Sequence, residues 1–153
     1  MTKPFTLNAE ELKKYQPNRY PFLMIDKVTE VLPGKYAYGY KNLTNNEWFF
    51  PKHFKGNPNM PGALQLESMA QMLTVAITTI PGLEGEITHA LQHTVKFMQE
   101  VLPGDRLEIK ADLISWKRGI GRGHAICTVD NIKVSSAEMM ITIPTILKKY
   151  LPK

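Results

Sequence analysis

Only one cysteine, Cys127, occurs in the 153 residues, so no disulfide can close within the chain and no second cysteine stands by to share a metal. A reducing, cytoplasmic setting suits such a chain. No stretch approaches the ~20 apolar residues that a helix needs to cross a bilayer, so no membrane span is expected. Met1 to Leu7 lacks the cationic and apolar segments of a secretory signal. A long basic tract is also missing. The formal charge is +5, yet the basic residues are scattered, the densest groups being Lys117 and Arg118 with Arg122, and Lys148 with Lys149. The balance favours an acidic partner, and the scatter argues against a nucleic-acid arm. With no repeat, linker or low-complexity segment, residues 1–153 are expected to form one domain, and a chain of this size buries roughly 70% of its unfolded surface.

What is present reads as α+β. Asn8 caps a short helical run, Ala9 to Tyr15, with Glu11 at its third position, and Pro17 ends it. Phe22 to Val31 is apolar and β-branched, Leu32 to Lys35 makes a turn around Pro33 and Gly34, and Tyr36, Tyr38 and Tyr40 alternate with small or polar residues, a hairpin pattern. Asn45 to Pro61 holds Pro51, Pro58, Pro61 and Gly56, too much punctuation for a strand or helix. From Gly62 to Ile80 the period is helical, with Leu66, Met69, Ala70, Leu73, Ala76, Ile77 and Ile80 on one face and Gln65, Glu67, Ser68, Gln71, Thr74 and Thr78 elsewhere. Pro81 and Gly82 stop it. Four long strands are expected at Thr88–Gln99, Asp105–Trp116, Gly121–Val129 and Lys133–Pro144, with turns at Pro103-Gly104 and Asp130-Asn131. A central helix followed by consecutive antiparallel strands implies a sheet that covers the helix.

Charge is scarcest where chemistry is most plausible. Between Lys55 and Glu84 the sole charged side chain is Glu67, on a helix whose other polar residues are Gln, Ser and Thr. A solvated helix face normally carries several charges, so this helix is expected to be buried on most sides. Burial disfavours a charged carboxylate, and a carboxyl group that keeps its proton can serve as a general acid. An ordinary polar face is the plainer alternative. His53 lies in the Pro-rich loop among Phe49, Phe50 and Phe54, where an imidazole can act as a base, although a lone loop histidine is more often just a loop residue. Met60-Pro61-Gly62 opens the helix with unpaired N–H groups and the positive end of its dipole, a plausible oxyanion site. Base, acid and oxyanion donor together suit proton abstraction α to a carbonyl. His89 and His93 stand four apart in a predicted strand, a spacing of ~13 Å that a shared metal cannot bridge. Gly119, Gly121 and Gly123 match no nucleotide fingerprint and read as a bulged strand.

The segment from Phe49 to Gln71, FFPKHFKGNPNMPGALQLESMAQ, resembles the active-site stretch of the 3-hydroxyacyl-acyl-carrier-protein dehydratases, including the spacing from His53 to Glu67. Arg19-Tyr20-Pro21-Phe22-Leu23, Asn46-Glu47 and Val101-Leu102-Pro103-Gly104-Asp105 extend the likeness over nearly the whole chain. The resemblance implies a hot-dog fold, a long central helix wrapped by a curved antiparallel sheet, with each active site at the interface of two protomers. By it, His53 removes the C2 proton, Glu67 of the other subunit assists departure of the 3-hydroxyl as water, and the Gly62 N–H holds the thioester carbonyl. The Asn59 carbonyl orients His53, Gln71 supports Glu67, and Phe50 and Phe97 line an acyl tunnel. No metal or nucleotide is implied, because phosphopantetheine arrives with the acyl carrier protein. Lys52, Lys55, Lys96, Lys117, Arg118 and Arg122 are candidates for docking that acidic carrier. A homodimer or trimer of dimers is implied, with a heteromer containing a paralogue as a variant.

Three positions depart from the family pattern: Lys52 where glycine usually precedes the histidine, Lys55 where proline usually follows His-Phe, and Asn18 in place of a common histidine. They suit a paralogue in a dedicated lipid or polyene pathway. Rival readings are a hot-dog thioesterase, against which the His53 spacing argues, and a dehydratase-isomerase, in which the acid is typically aspartate. A third is a non-catalytic acyl-binding or partner subunit, whose mark would be loss of His53 or Glu67; both are present.

Overall fold

Seven strands form one antiparallel sheet in the computed structural model, which describes residues 3–153. In chain order the elements are β1 (Phe5–Leu7), α1 (Ala9–Leu12), β2 (Lys27–Leu32), β3 (Tyr36–Asn42), α2 (Gly62–Thr78), β4 (His89–Phe97), β5 (Arg106–Lys117), β6 (Ile120–Val129), β7 (Ile132–Thr142) and α3 (Pro144–Leu147). Across the sheet they run β1-β2-β3-β5-β6-β7-β4. The sheet wraps α2, which packs on β3, β5, β6 and β7, as the hot-dog expectation requires.

Close approach of α2 to the sheet depends on two glycines. Gly121, Gly123, Ala125 and Cys127 of β6 turn towards the helix, and the residues between them face outward. A Cβ on Gly121 would stand 2.7 Å from Ile77 Cδ1, and one on Gly123 would stand 2.6 Å from Leu73 Cδ1 and 2.5 Å from Asp112 O. These glycines are therefore a seat for α2. The irregularity expected there falls on the neighbouring strand, where the β5 register shifts between Leu113 and Ser115. Deeper along β6, burial pushes the Cys127 thiol up to about 12 against the opposite pull of the Ser135 hydroxyl, so it is no nucleophile.

Burial surrounds α2 more completely than its period suggests. Ser68, Gln71, Thr74 and Thr78 are as buried as Met69, Met72 and Leu73, while Leu66 and Ala70, expected on the core face, are half-exposed. Two of the hydroxyls hide on the helix itself, Ser68 Oγ donating to Leu64 O at 2.9 Å and Thr78 Oγ1 to Thr74 O at 3.0 Å, and Thr74 Oγ1 pairs with Thr88 Oγ1 at 2.9 Å. A hydroxyl satisfied one turn back needs no water, which is why polarity misplaces these positions.

Elsewhere the sequence and the chain disagree at element ends. The Asn8 side chain accepts the Glu10 and Glu11 amides as expected, but α1 stops at Leu12. The run from Phe22 to Asp26 is not strand, because the Met24 N–H donates to Gln71 Oε1 at 2.8 Å instead of to a ladder partner. β7 ends before Pro144, which has no N–H and opens α3. The three-residue β1 has no period of its own and is pinned only by pairing with β2.

Gly123→Ala forces a methyl against the Asp112 carbonyl and Leu73. The expected cost is about 1–3 kcal/mol, read as a Tm lower by several degrees in thermal unfolding; an unchanged Tm would contradict the seat.

Candidate active site

The loop that carries His53 is fixed at both ends. Lys41, at the end of β3, is a buried cation whose Nζ lies 2.8 Å from Glu47 Oε1 and 3.6 Å from Asp26 Oδ2. A buried charge persists only when paired, so this contact anchors the start of the loop. Phe49 and Phe50 then place their rings in the core with centroids 4.7 Å apart. At the far end the Met60 N–H donates to Val101 O at 2.7 Å. In between, Phe54 and Asn57 exchange two backbone hydrogen bonds of 2.9 and 2.8 Å around Gly56, whose φ of +75° suits glycine.

That frame aims the histidine. The Asn59 N–H donates to His53 O at 2.8 Å, and His53 Nδ1 lies 3.1 Å from Asn59 O. A carbonyl oxygen only accepts, so Nδ1 carries the proton and Nε2 keeps a free lone pair, the form a general base requires. The imidazole stacks on the Phe54 ring at 4.1 Å between centroids.

No side chain caps α2. Pro61 O accepts the Leu64 and Gln65 amides at 3.0 and 3.1 Å, and among the described residues the Gly62 and Ala63 amides have no partner. Those donors, at the positive end of the helix, suit a developing oxyanion. A Cβ on Gly62 would stand 2.7 Å from Cζ of the half-exposed Phe97, so that ring would have to shift to admit one. Gly62, Phe97, Asn59 and Gln65 line a cavity of about 490 Å³.

Glu67 is half-buried on α2, and its Oε1 accepts from Gln71 Nε2 at 2.8 Å. The same Nε2 donates to Phe22 O at 2.6 Å, and Gln71 Oε1 accepts the Met24 amide, so one side chain ties the acid to the segment before β2. Glu67 opens into a second cavity of about 230 Å³, with Asn18, Ala70, Thr74 and His93. His53 lines neither cavity. Within one chain, His53 and Glu67 line no common cavity.

The remaining expected residues divide. Phe50 is buried and borders a separate hollow with Asn45, Phe54 and Pro58, away from Phe97. Lys52 and Lys55 are exposed beside His53, and Lys96 is exposed on β4 opposite Ser136. Lys117 and Arg118 lie at the β5–β6 turn, the Arg118 guanidinium 5.9 Å from the Tyr150 ring centroid, and Arg122 is exposed on β6. Because Gly121 seats Ile77, this second group stands at the C-terminal end of α2, opposite the first. A cavity of about 300 Å³ between Ile114, Arg122 and Glu138 is lined by neither His53 nor Glu67. Sequence reasoning passed over Gln65, which sits in the polar arc of α2 yet is buried.

A family model described as a FabA-like domain matches residues 16–138. The chain is 41% identical over 138 residues to a 3-hydroxyacyl-[acyl-carrier-protein] dehydratase FabZ of Clostridium novyi (strain NT), covering 90% of this chain and 97% of that protein. It is 44% identical to the protein of the same name from Clostridium botulinum (strain Hall / ATCC 3502 / NCTC 13319 / Type A), with 90% and 96% covered. Among solved structures, the dehydratase heterocomplex ApeI:P from Xenorhabdus doucetiae aligns with a TM-score of 0.76 at 16% identity over 93% of this chain and 97% of that one. Cj0977, a sigma28-regulated virulence protein from Campylobacter jejuni, aligns at 0.68 with 14% identity over 88% and 89%. These two likenesses concern the fold.

Gln71→Leu strands the buried Met24 N–H and Phe22 O. The expected destabilisation is about 2 kcal/mol or more by chemical denaturation, and a change within about 0.5 kcal/mol would show that Gln71 is no clamp.

Proposed function

The chain belongs to the FabA-like family, and on that footing we propose that it dehydrates 3-hydroxyacyl thioesters on acyl carrier protein to trans-2-enoyl thioesters, as a hydro-lyase of fatty-acid or related lipid synthesis. The observation that carries the reading is the hydrogen bond of His53 Nδ1 to Asn59 O, which leaves Nε2 as a base. The Gly62 amide holds the thioester carbonyl and stabilises charge as Nε2 takes the C2 proton. The C2–H electron pair becomes the C2=C3 bond, the C3–O pair leaves with oxygen, and Glu67 supplies the proton that makes the leaving group water. The substrate brings its own phosphopantetheine, so the reaction asks for no further cofactor.

Glu67 acts on the substrate bound to a second copy of the chain. β4 is hydrogen-bonded to β7 along one edge and, among the described residues, has a free edge on the other, with exposed Leu91 on the strand and exposed Ile87 just before it. Beside it runs the half-open face of α2, with Ala63, Leu66, Glu67 and Ala70. Two-fold antiparallel pairing of the two free edges continues the sheet and covers this face. It also sets the N-terminal end of one α2 beside the C-terminal end of the other. Lys52 and Lys55 of one copy then share a mouth with Lys117 and Arg118 of the other, a basic rim for an acidic carrier. A cytoplasmic homodimer is the working form of this reading.

The test is the rise of enoyl-thioester absorbance from 3-hydroxyacyl-acyl-carrier-protein. Wild type should turn over, and His53→Ala and Glu67→Gln should each lose about 10²–10⁴-fold in kcat. Release of free carrier thiol without an enoyl product would point to a thioesterase, and an inactive wild type across chain lengths would overturn the dehydratase reading.

A further inference from the structure

Gln16, between α1 and β2, is 1% exposed and fixes the carboxamide of Asn18. Gln16 Nε2 donates to Gln71 O at 3.4 Å, and Gln16 Oε1 accepts the Asn18 backbone N–H at 3.1 Å and Asn18 Nδ2 at 2.9 Å. A backbone carbonyl only accepts and a backbone N–H only donates, which settles the sense of both carboxamides. Asn18 therefore commits its NH₂ to the buried glutamine and turns Oδ1 the other way. That oxygen has no hydrogen-bond partner among the described residues. Asn18 is half-buried, and its Oδ1 is not among the side-chain atoms sealed from solvent, so a donor from outside can reach it.

Asn18 borders the hollow of about 230 Å³ into which Glu67 opens, and most other polar groups there are committed. Gln71 places Nε2 on Glu67 and Phe22 O and Oε1 on the Met24 amide, and Thr74 Oγ1 pairs with Thr88 Oγ1 at 2.9 Å. His89 and His93 of β4 remain, and an imidazole nitrogen donates as readily as it accepts. The Asn18 oxygen only accepts. A leaving hydroxyl in this hollow needs such a group. Glu67 can protonate the hydroxyl oxygen only if a lone pair faces the acid, and a hydroxyl whose own hydrogen has no acceptor turns that hydrogen to the carboxyl group instead.

The geometry points to Asn18 as a substrate-contacting residue: Oδ1 accepts the hydrogen of the 3-hydroxyl and so turns an oxygen lone pair to Glu67. As the C3–O bond breaks, its electron pair stays on oxygen and Glu67 supplies one proton. The hydrogen held by Asn18 is the other hydrogen of the departing water. This inference rests on the dehydratase reading and adds one contact to it, from the copy that supplies Glu67.

The test uses Asn18→Leu, close in shape and without an acceptor, and Asn18→Ala, which adds no bulk. In both, Gln16 Oε1 keeps the backbone N–H of position 18, so the fold loses little. The readings are kcat/KM for a 3-hydroxyacyl group on the carrier protein, Kd for the carrier with the saturated acyl chain of the same length, and Tm. A contact to the 3-hydroxyl predicts kcat/KM lower by about tenfold or more and Kd unchanged within about twofold, because the saturated chain has no hydroxyl to lose. Tm stays near that of wild type; where leucine lowers it, the comparison is made with alanine. Wild-type kcat/KM overturns the inference. So does a weakening of Kd that matches the loss of kcat/KM, which marks a structural role. An inactive wild type is a separate result, removing the dehydratase reading and this contact together.

Discussion

The structure depends on seating one almost uncharged helix inside a curved sheet. α2 is close enough to β6 that Gly121 and Gly123 have no room for a side chain, and its Ser68 and Thr78 hydroxyls turn back onto its own carbonyls. A helix so enclosed cannot carry charge at random, because an unpaired buried charge costs several kcal/mol. Glu67 is its one charge, placed on the half-open side and held by Gln71. The position of that one carboxyl group is thus a consequence of where the helix is not covered.

The same enclosure divides the chemistry. Gly62, Asn59 and Phe97 line one cavity, and Ala63 and Glu67 line another. A base and an acid that act on adjacent carbons of one substrate must meet within a few ångströms. One chain does not bring them together. In the proposed reading its free β4 edge and the open face of α2 supply the means: a second copy paired there would bring its Glu67 to the first copy's His53.

Much of this was legible before the fold. The punctuation of Pro33-Gly34, Pro81-Gly82 and Pro103-Gly104 placed the turns, alternation placed the long strands, and the rarity of charge on α2 announced its burial. The FFPKHF and MPGALQLE motifs singled out His53, Glu67 and Gly62 as the candidate residues. What escaped has a common cause: it depends on contacts distant in sequence. Phe22 to Asp26 has strand composition, but the Gln71 carboxamide takes the Met24 amide from a residue far along the chain. β1 exists only through its partner strand. Gly121 and Gly123 look like a bulge until Leu73 and Ile77 are set against them. Gln65 sits in the polar arc, and no pattern in the sequence distinguishes a solvated glutamine from one buried with an unpaired oxygen. The six basic residues considered for docking fell into two groups at opposite ends of α2, a division that only the three-dimensional path reveals.

Sharing of the site between two copies is the central claim, and mixing inactive chains addresses it most directly. His53→Ala and Glu67→Gln chains, unfolded together and refolded, form mixed dimers in which one of the two sites regains both groups. Random pairing predicts recovery of about a quarter of wild-type dehydratase activity from two inactive parents. A mixture that stays as inactive as either parent, with mixed dimers demonstrated by mass spectrometry, would contradict the account and place both groups in one chain.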